Sequence, residues 1–559
     1  MTRKSSKGFD YIIVGAGTAG CVMANRLSED GQAQVLLIEA GRSDRNLFHG
    51  WQLSMPAALT YPLNSKRFNW YYETEPQTRL NNRRLYWPRG KVLGGSSSIN
   101  GMVWIRGHAW DYDNWASKGL PGWTWAECLP YFKKSESRNK KVSEYRGGYG
   151  PIGVTIGEYP NPLFEAYIEA GQQAGFPRTE DFNGYQFEGF GRFDMNIAQG
   201  RRQNSSFAYL KPATARPNLT IMTGTMVNRI LFEGTTATGV ESIRDREKRE
   251  IRASSEVILS GGAVNSPQTL LLSGIGNADE LRALGVPVVQ NLKGVGRNLQ
   301  DHVNSSVKME CSQPVTLYKA NAFPNNFKIG LQYFARKTGP GATMHTEAGA
   351  FFKTRDDMFL PDAQHHFIPI LVFDNGRTWP DRHGFQCHVC PLRPESTGSI
   401  KLRSTDPFEH PIISADVLAT DEDWRMTRDS IKITREVFRR DAMKPFVKAE
   451  LFPGPHVKTD EDIDNYIRES ATTCYHPSSS VKMGTDEMSC LNHEMKVYGV
   501  EGLRVVDASA MPQLNSGNTN APVTMMAEKA ADMIRGRVQM TPEWHPLADY
   551  EATKPERMA

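Results

Sequence analysis

The apolar pattern at the start of the chain predicts a strand, a glycine-rich turn and a helix. Residues 11–14, Tyr-Ile-Ile-Val, are continuously apolar, as in a buried parallel strand. The turn at 15–20 leads into a helix-like run at 21–27, and the apolar run at 34–38 predicts a second strand. This order of strand, helix and strand is typical of a parallel α/β sheet.

The turn after the first strand has the spacing of a dinucleotide-binding loop. Gly15 permits a tight turn, Gly17 lets a pyrophosphate approach the backbone, and Gly20 lets the helix pack closely on the strand. Glu39, nineteen residues after Gly20, ends the second strand, where a carboxylate accepts hydrogen bonds from ribose hydroxyls. These features predict a bound dinucleotide and leave FAD and NAD open.

Similar patterns recur along the chain. Further strands are predicted at 226–232, 257–260, 364–371 and 399–402, and further helices at 423–439 and 523–534. The last helix follows Asn520-Ala521-Pro522, which places a proline in its first turn. The small-residue loop at 90–100 is flanked by aromatic residues, which favours packing against a flat or charged group over a flexible linker.

Composition and charge narrow the class of protein. A chain of 559 residues exceeds what one hydrophobic core usually organises, which predicts two lobes. The formal charge of +4 and the absence of a basic run argue against nucleic acid as a partner. We find no secretory signal pattern and no run approaching the roughly 20 apolar residues of a membrane span. We therefore expect a cytoplasmic protein, with membrane association as an alternative.

The seven cysteines are scattered along the chain. This distribution favours reduced, buried thiols over a disulfide framework. Cys387 and Cys390 form a CxxC motif, but no second ligand pair accompanies it. We interpret this motif as core packing and predict no metal site.

Two stretches, 90–113 and 262–276, resemble the signature patterns of the glucose-methanol-choline (GMC) oxidoreductases, FAD enzymes that oxidise alcohols. The second departs from its pattern at Thr269, where the family usually has an aliphatic residue. Segments 55–59, 72–75 and 505–509 are most similar to the choline-oxidising members. The resemblance implies FAD and hydride transfer from an alcohol to flavin N5, with choline to betaine aldehyde as the first expectation.

The resemblance also implies the architecture. Residues 1–157, 222–310 and 465–540 are expected to form a Rossmann-like FAD-binding lobe. Residues 158–221 and 311–464 are expected to form an interleaved substrate lobe on an antiparallel sheet, so the fold class is α/β plus α+β. We expect the polar tail, 541–559, to be only loosely packed.

By resemblance, His476 and Asn518 match the family's active-site pair. A positioned imidazole is a suitable base for the hydroxyl proton, and an amide can hold the substrate oxygen. The expected FAD contacts are Gly15, Gly17, Thr18, Ala19, Gly20, Glu39, Ala40, Leu93, Gly94, Gly95, Ser96, Asn100, Gly101, Met102, Val103, Val227, Asp507, Ala508, Asn518, Thr519 and Asn520. Some relatives attach FAD covalently through a histidine at the position of Ile99, so noncovalent FAD is expected here.

The substrate site is less defined by the sequence. A quaternary ammonium calls for aromatic faces and a carboxylate. Trp70 and Tyr475 are candidates for the aromatic faces and Glu347 for the carboxylate, although each also fits a purely structural role. Serines stand at 478–480, where choline-oxidising relatives have cysteines, so another primary or aromatic alcohol is the alternative. A catalytically silent flavin-binding protein is a third reading.

The electron acceptor is the remaining partner. A quinone or the respiratory chain is expected, with oxygen as an alternative. By resemblance, Cys474 lies over the flavin, so its size is a candidate control on oxygen access. A quinone acceptor would suit a peripheral membrane contact, but the sequence pattern marks no convincing amphipathic segment.

Overall fold

A seven-stranded sheet forms the centre of the first lobe in the computed structural model, which describes residues 8–46, 48–139, 141–548 and 550–554. The parallel part contains, in spatial order, Leu219–Thr223, Val35–Glu39, Phe9–Val14, Glu247–Leu259 and Leu503–Val505. Two antiparallel strands, Thr236–Arg244 and Met226–Glu233, continue the sheet. The first strand leads through the glycine turn into the helix Thr18–Leu27, as the sequence predicts.

The second lobe is built on another seven-stranded sheet, and all its strand pairs are antiparallel. Its spatial order is Val447–Phe452, Val303–Cys311, Gly384–Pro391, Ala363–Ile368, Ala348–Phe352 and Gly189–Arg192, with Thr472–Thr473 paired to the second of these. The helix Asp421–Arg439 buries Ile431, Val437 and Phe438 in the core that this sheet contributes to. The two sheets confirm the predicted fold class.

The remaining elements connect and cover the two sheets. The other helices are Gly50–Ser54, Thr60–Leu63, Ala109–Ser117, Trp125–Ser135, Pro162–Gln173, Lys211–Ala213, Gly262–Leu272, Ala278–Ala283, Asn325–Arg336, Asp460–Ser470 and Asn520–Ile534. The short strands are Tyr72–Glu73, Tyr86–Trp87, Glu136–Arg138, Ile152–Ile156, Asp194–Met195, Ile197–Ala198, Arg201–Arg202, Ile275–Gly276, Gln290–Asn291, Ser399–Lys401 and Ile412–Ser414. Across the described ranges, no helix is both long enough and apolar enough to span a membrane.

The strand pairing places two boundaries differently from the expected ones. Leu219–Thr223 joins the first sheet, so that lobe's second segment begins before residue 222. Val303–Cys311 and Thr472–Thr473 belong to the antiparallel sheet, although the sequence assigns nearly all of these residues to the FAD lobe. The candidate base His476 directly follows Thr472–Thr473 of the second sheet, and the next strand of either large sheet, Leu503–Val505, lies in the first.

The described part of the tail is packed, contrary to the expected loose end. The backbone N–H of Glu543 donates to the carbonyl of Ala126 at 2.8 Å. Asp113 accepts hydrogen bonds from the Tyr550 hydroxyl at 3.0 Å and from the Thr553 backbone at 2.8 Å. These contacts hold residues 541–548 and 550–554 on the first lobe. The polar composition of the tail did not predict this packing.

Candidate active site

One cavity of about 1760 Å³ connects the glycine turn of the first lobe with the inner face of the second sheet. The cavity is lined by Gly15, Gly17 and Glu39 at one end, and by His476 and Asn518 further along. Residues of the antiparallel sheet, among them His366 and His388, form the opposite wall. A long ligand with a dinucleotide end and a reactive end fits this shape.

The glycine turn is shaped for close backbone approach. Gly15 has φ of 97°, which a residue with a side chain rarely adopts. A Cβ on Gly20 would lie 1.9 Å from the Gly15 carbonyl oxygen, and a Cβ on Gly95 would lie 2.6 Å from the Gly17 Cα. The small-residue loop at 90–100 therefore packs directly on the dinucleotide turn, and neither side of the contact has room for a side chain.

Two helix N-termini meet at this end of the cavity. The Thr18 hydroxyl donates to Asn520 Oδ1 at 2.9 Å and joins the starts of Thr18–Leu27 and Asn520–Ile534. Neither helix has a side-chain cap, so their first N–H groups remain available to a ligand. The buried Asn520 Nδ2 and Ser260 Oγ, both of cavity-lining residues, make no hydrogen bond within the described protein. These unpaired donors fit an FAD diphosphate and flavin.

Glu39 lies at the end of the second strand, as predicted. Its carboxylate accepts the backbone N–H of Ala16 at 2.8 Å and of Gly41 at 2.7 Å. Burial raises the pKa of Glu39 to about 7 despite these two hydrogen bonds. The remaining lone pairs can accept ribose hydroxyls while the carboxylate orders the turn.

Most of the expected FAD contacts line the cavity. These are Gly15, Gly17, Thr18, Ala19, Glu39, Ala40, Gly95, Ser96, Asn100, Gly101, Met102, Val103, Val227, Asp507, Ala508, Asn518, Thr519 and Asn520. Gly20, Leu93 and Gly94 lie outside the lining, and Gly20 serves helix packing instead. Asp507 accepts from the Gly262 N–H and the Ser266 hydroxyl at 2.8 and 2.6 Å, so it also joins the chain segments around the cavity.

The structure brings His476 and Asn518 together. Asn518 Nδ2 lies 3.1 Å from His476 Nε2, and Asn518 Oδ1 accepts from Gln364 Nε2 at 3.2 Å. Gln364 therefore orients the amide with its N–H₂ group toward the imidazole. In this arrangement His476 Nε2 is a hydrogen-bond acceptor, which is the state that a base requires.

His302, which the sequence analysis missed, favours the same state of His476. His302 Nε2 lies 3.0 Å from the Leu392 carbonyl oxygen, which only accepts, so this nitrogen carries the proton. Burial lowers the pKa of His302 to about 4, which leaves Nδ1 unprotonated. Since His302 Nδ1 lies 3.0 Å from His476 Nδ1, the latter must donate. The lone pair of His476 is therefore on Nε2, beside Asn518.

The backbone reinforces this arrangement. The N–H of His476 donates to Asp301 Oδ1 at 2.7 Å, and the N–H of Cys474 donates to the His302 carbonyl at 2.9 Å. Burial raises the pKa of Asp301 to about 6. Residues 301–302 and 474–476, far apart in sequence, are thus held side by side by these two hydrogen bonds. Their register fixes the position of the His476 imidazole.

Removing the His302 acceptor should slow the reaction. In His302→Leu, His476 loses the partner that selects its tautomer, and we expect flavin reduction to slow by roughly tenfold or more. His302→Gln is the matched variant, because an amide can still donate to Leu392 and accept from His476. Stopped-flow reduction under anaerobic conditions measures both. Equal rates for His302→Leu and the wild type would exclude the positioning role.

The pH profile tests the charge state of the candidate base His476. Burial, followed by the charges of neighbouring histidines and Arg89, holds the pKa of His476 well below its usual value of 6.5. The neutral base is present above this pKa and is lost as the pH falls through it. We expect the rate of flavin reduction at saturating alcohol to change less than about twofold between pH 6.5 and 8 and to fall below that range. A rise through pH 7 that His476→Ala abolishes would contradict this electrostatic account.

The three candidate substrate residues do not occupy equivalent places. Trp70 and Tyr475 line the cavity. Trp70 stacks on Tyr72 with ring centres 5.8 Å apart, and Lys91 Nζ lies 4.2 Å from the Trp70 ring centre. The Tyr475 hydroxyl donates to Asn375 Oδ1 at 2.5 Å. Trp70 is thus already packed against a cation, whereas Tyr475 is held by its hydroxyl end.

Glu347 lies outside the residues that line the cavity. Its carboxylate accepts the Tyr159 N–H at 2.6 Å and the Thr343 hydroxyl, and Arg192 Nη1 lies 3.6 Å away. Burial raises the pKa of Glu347 to about 7. The carboxylate therefore connects neighbouring segments, although the residues just before it, Met344, His345 and Thr346, do reach the cavity.

Cys390 and Cys474 form a disulfide in the cavity wall, which corrects the expectation of reduced thiols alone. Cys387 and Cys390 are three positions apart on one strand, so their side chains point to opposite faces. Cys387 stays buried and free, as core packing requires. Cys390 meets Cys474 because Thr472–Thr473 and Gly384–Pro391 both pair with Val303–Cys311.

Comparisons with known proteins identify the family of this chain. GMC oxidoreductase family models match residues 9–304 and 394–527. The mitochondrial choline dehydrogenase of Mus musculus is 49% identical over 535 residues, covering 94% of this chain and 89% of the relative. The oxygen-dependent choline dehydrogenase of Burkholderia lata is 49% identical over 536 residues, which cover 95% of this chain and 94% of the relative.

Solved structures show the same fold. The pyridoxine 4-oxidase of Mesorbium loti superposes with a TM-score of 0.86 at 30% identity, covering 95% of this chain and 100% of the other. A formate oxidase of Aspergillus oryzae superposes with a TM-score of 0.88 at 27% identity, and the match covers 95% of this chain and 99% of the other. The chain belongs to the GMC oxidoreductase family. Within that family it is an FAD-dependent alcohol dehydrogenase acting on CH–OH donors.

Proposed function

We propose that this enzyme oxidises choline to betaine aldehyde. Bound FAD supplies the acceptor for the carbinol hydride at its N5 position. The observation that carries the proposal is the unprotonated His476 Nε2 beside Asn518, in the cavity that begins at the dinucleotide turn. The two choline dehydrogenases that cover most of the chain support choline as the substrate.

His476 and Asn518 have complementary tasks in this proposal. His476 Nε2 takes the hydroxyl proton of the alcohol, and the Asn518 N–H₂ group donates to the substrate oxygen as negative charge develops there. His302 and Gln364 keep these two groups oriented. The expected FAD contacts that line the cavity are proposed to hold the cofactor beside this pair.

A second candidate is a neutral primary or aromatic alcohol, and the placement of Glu347 favours it. The carboxylate proposed to balance a quaternary ammonium is paired with Thr343, Tyr159 and Arg192. Lys308 and His388 line the same cavity, and burial lowers the pKa of Lys308 to about 8. Glu347 would have to turn toward the cavity before its carboxylate could pair with a bound cation.

The experiment compares choline with its neutral isostere, in which a carbon atom replaces the quaternary nitrogen. FAD-loaded enzyme is mixed anaerobically with each alcohol, and bleaching of the flavin is followed. If the cation is recognised, choline reacts at least about tenfold faster than the isostere, and Glu347→Gln reduces this preference. If the isostere reacts equally well or faster, the substrate is a neutral alcohol and choline is discarded.

The FAD of this enzyme is proposed to be noncovalent. Ile99 lines the cavity where some relatives carry the histidine that attaches FAD, and its side chain offers no nucleophile. Acid precipitation of the purified holoenzyme should release all the flavin into the supernatant. Flavin that remains with the precipitated protein after washing would contradict noncovalent binding.

A quinone is the proposed electron acceptor, with oxygen as the alternative. Cys474 lines the cavity with its sulfur bonded to Cys390, and this pair is proposed to limit the access of oxygen to the flavin. Reoxidation of the reduced enzyme by a short-chain quinone and by dissolved oxygen can be compared in one stopped-flow experiment. Faster reaction with oxygen would discard the quinone, and unchanged oxygen reactivity in Cys474→Gly would discard the role of the cysteine.

A further inference from the structure

The helix Asn325–Arg336 presents an apolar stripe to solvent. Phe327, Leu331 and Phe334 are 64%, 62% and 55% exposed, and Phe323 just before the helix is 84% exposed. Spacings of four and three residues put Phe327, Leu331 and Phe334 on one face of the helix, and Phe323 precedes the first turn. Four large apolar side chains exposed together mark an interaction surface in an otherwise folded protein.

The helix is held in place by its other face. Tyr333 is its buried residue and forms a cluster with Met55 and Ala58, against which Ile329 and Trp51 also pack. The ring centres of Trp51 and Phe334 lie 6.1 Å apart. The exposed stripe is thus carried by a packed helix and is not the consequence of an unanchored segment.

The stripe borders the mouth of the cavity. Phe323, Phe327, Leu331 and Phe334 all belong to the cavity lining, together with Trp51. Tyr61, which is 51% exposed, adds a further aromatic ring beside Trp51 at 5.3 Å between ring centres. Whatever covers the stripe therefore lies at the entrance of the cavity that leads to His476.

The two chain segments that form the stripe and its immediate border carry charges of one sign. No Asp or Glu occurs between Glu310 and Glu347, whereas Lys319, Lys328, Arg336 and Lys337 lie in this interval. None of these four cations takes part in a salt bridge found among the described residues. The facing segment between Asp44 and Glu73 likewise lacks acids and carries Lys66 and Arg67. Apolar side chains bordered by cations complement an anionic phospholipid surface.

The same charge pattern argues against a second copy of this chain as the partner that covers the stripe. In a two-fold dimer the patch would meet itself, which would bring the two sets of cations together. A neutral apolar partner would leave the cations without a counterpart. A bilayer with anionic headgroups can bury the apolar stripe and can also pair with the cations that border it.

We propose that the stripe Phe323, Phe327, Leu331 and Phe334 docks this enzyme on an anionic phospholipid bilayer, with the cavity mouth facing the lipid. Docking depends only on this surface. The consequence for the acceptor rests on the proposed function: a lipophilic quinone passes from the bilayer to the flavin without crossing bulk water.

Vesicle sedimentation of the FAD-loaded enzyme, without substrate, tests the docking. We expect binding to vesicles of phosphatidylcholine mixed with phosphatidylglycerol, much weaker binding to phosphatidylcholine alone, and release by high salt. The double variant Phe327→Ser and Leu331→Ser should lose at least about tenfold in vesicle affinity. Phe408→Ser is the matched control, because Phe408 is 56% exposed and lies outside the cavity lining.

Flavin content and the thermal unfolding midpoint show whether each variant is folded. The proposal is overturned if the wild type ignores anionic vesicles, if the double variant binds as well as the wild type, or if Phe408→Ser loses as much. It is also overturned if the wild type is a dimer that the double variant converts to a monomer without any vesicle binding. Since no turnover is measured, these outcomes are independent of whether choline is the substrate.

Discussion

Replacement of His476 by alanine should slow anaerobic flavin reduction by about 10²–10⁴-fold while the protein keeps its FAD. The expected loss is large because the imidazole is the group whose Nε2 is left unprotonated by its hydrogen bonds to Asn518 and His302. Without it, the hydroxyl proton has no positioned acceptor. Stopped-flow absorbance at saturating alcohol measures the effect.

The control for this variant is His456→Ala, because His456 is exposed in a loop. It should reduce its flavin at the wild-type rate. A rate for His476→Ala within about threefold of the wild type would exclude general-base catalysis by this residue. Loss of flavin from the variant would instead indicate a role in cofactor binding.

Asn518→Ala is expected to have the second largest effect, about 10²–10³-fold on the same rate. Gln364 holds the amide at 3.2 Å so that its N–H₂ group faces His476, where the proposed mechanism places the developing negative charge of the substrate oxygen. Gln364→Ala should show a smaller loss, because it only releases the amide from its orientation. Asn321→Ala, at an exposed asparagine of the cavity lining, is the control and should react normally. An Asn518→Ala variant that affects only the apparent affinity for the alcohol would contradict stabilisation of the developing charge.

The elements that local pattern determines were predictable. Residues 11–39 carry the strand, turn and helix in consecutive positions, and the structure confirms Phe9–Val14, Thr18–Leu27 and Val35–Glu39. Apolar periodicity and glycine spacing suffice here because each interaction is local or between neighbouring strands. The proposed catalytic pair rested on resemblance to a family, since composition alone does not distinguish one histidine among 13.

The parts of the site that depend on strand register were not predictable. His302 lies 174 residues from His476, and Gln364 lies 154 residues from Asn518. The pairing of Val303–Cys311 with Thr472–Thr473 brings His302 beside His476, and no local pattern specifies that register. The same strand also pairs with Gly384–Pro391, which joins Cys390 to Cys474 across a sequence separation of 84.

The amphipathic helix Asn325–Arg336 shows a different limit. Its apolar residues recur at helical spacing, but the pattern does not tell which apolar positions face the core and which face solvent. Tyr333 is buried while Phe334 beside it is exposed. Similarly, Glu347 lies in a segment that borders the cavity, yet its carboxylate is directed to Tyr159 and Arg192.

In the proposed reaction, this protein removes a hydride from the carbinol carbon of an alcohol, and His476 takes the proton from the hydroxyl. The most direct test is anaerobic mixing of the FAD-loaded enzyme with choline and with choline deuterated at the carbinol carbon. We expect complete bleaching of the flavin, one aldehyde formed per flavin, and measurably slower bleaching with the deuterated alcohol. A flavin that stays oxidised with choline, with its neutral isostere and with aromatic alcohols would contradict the account.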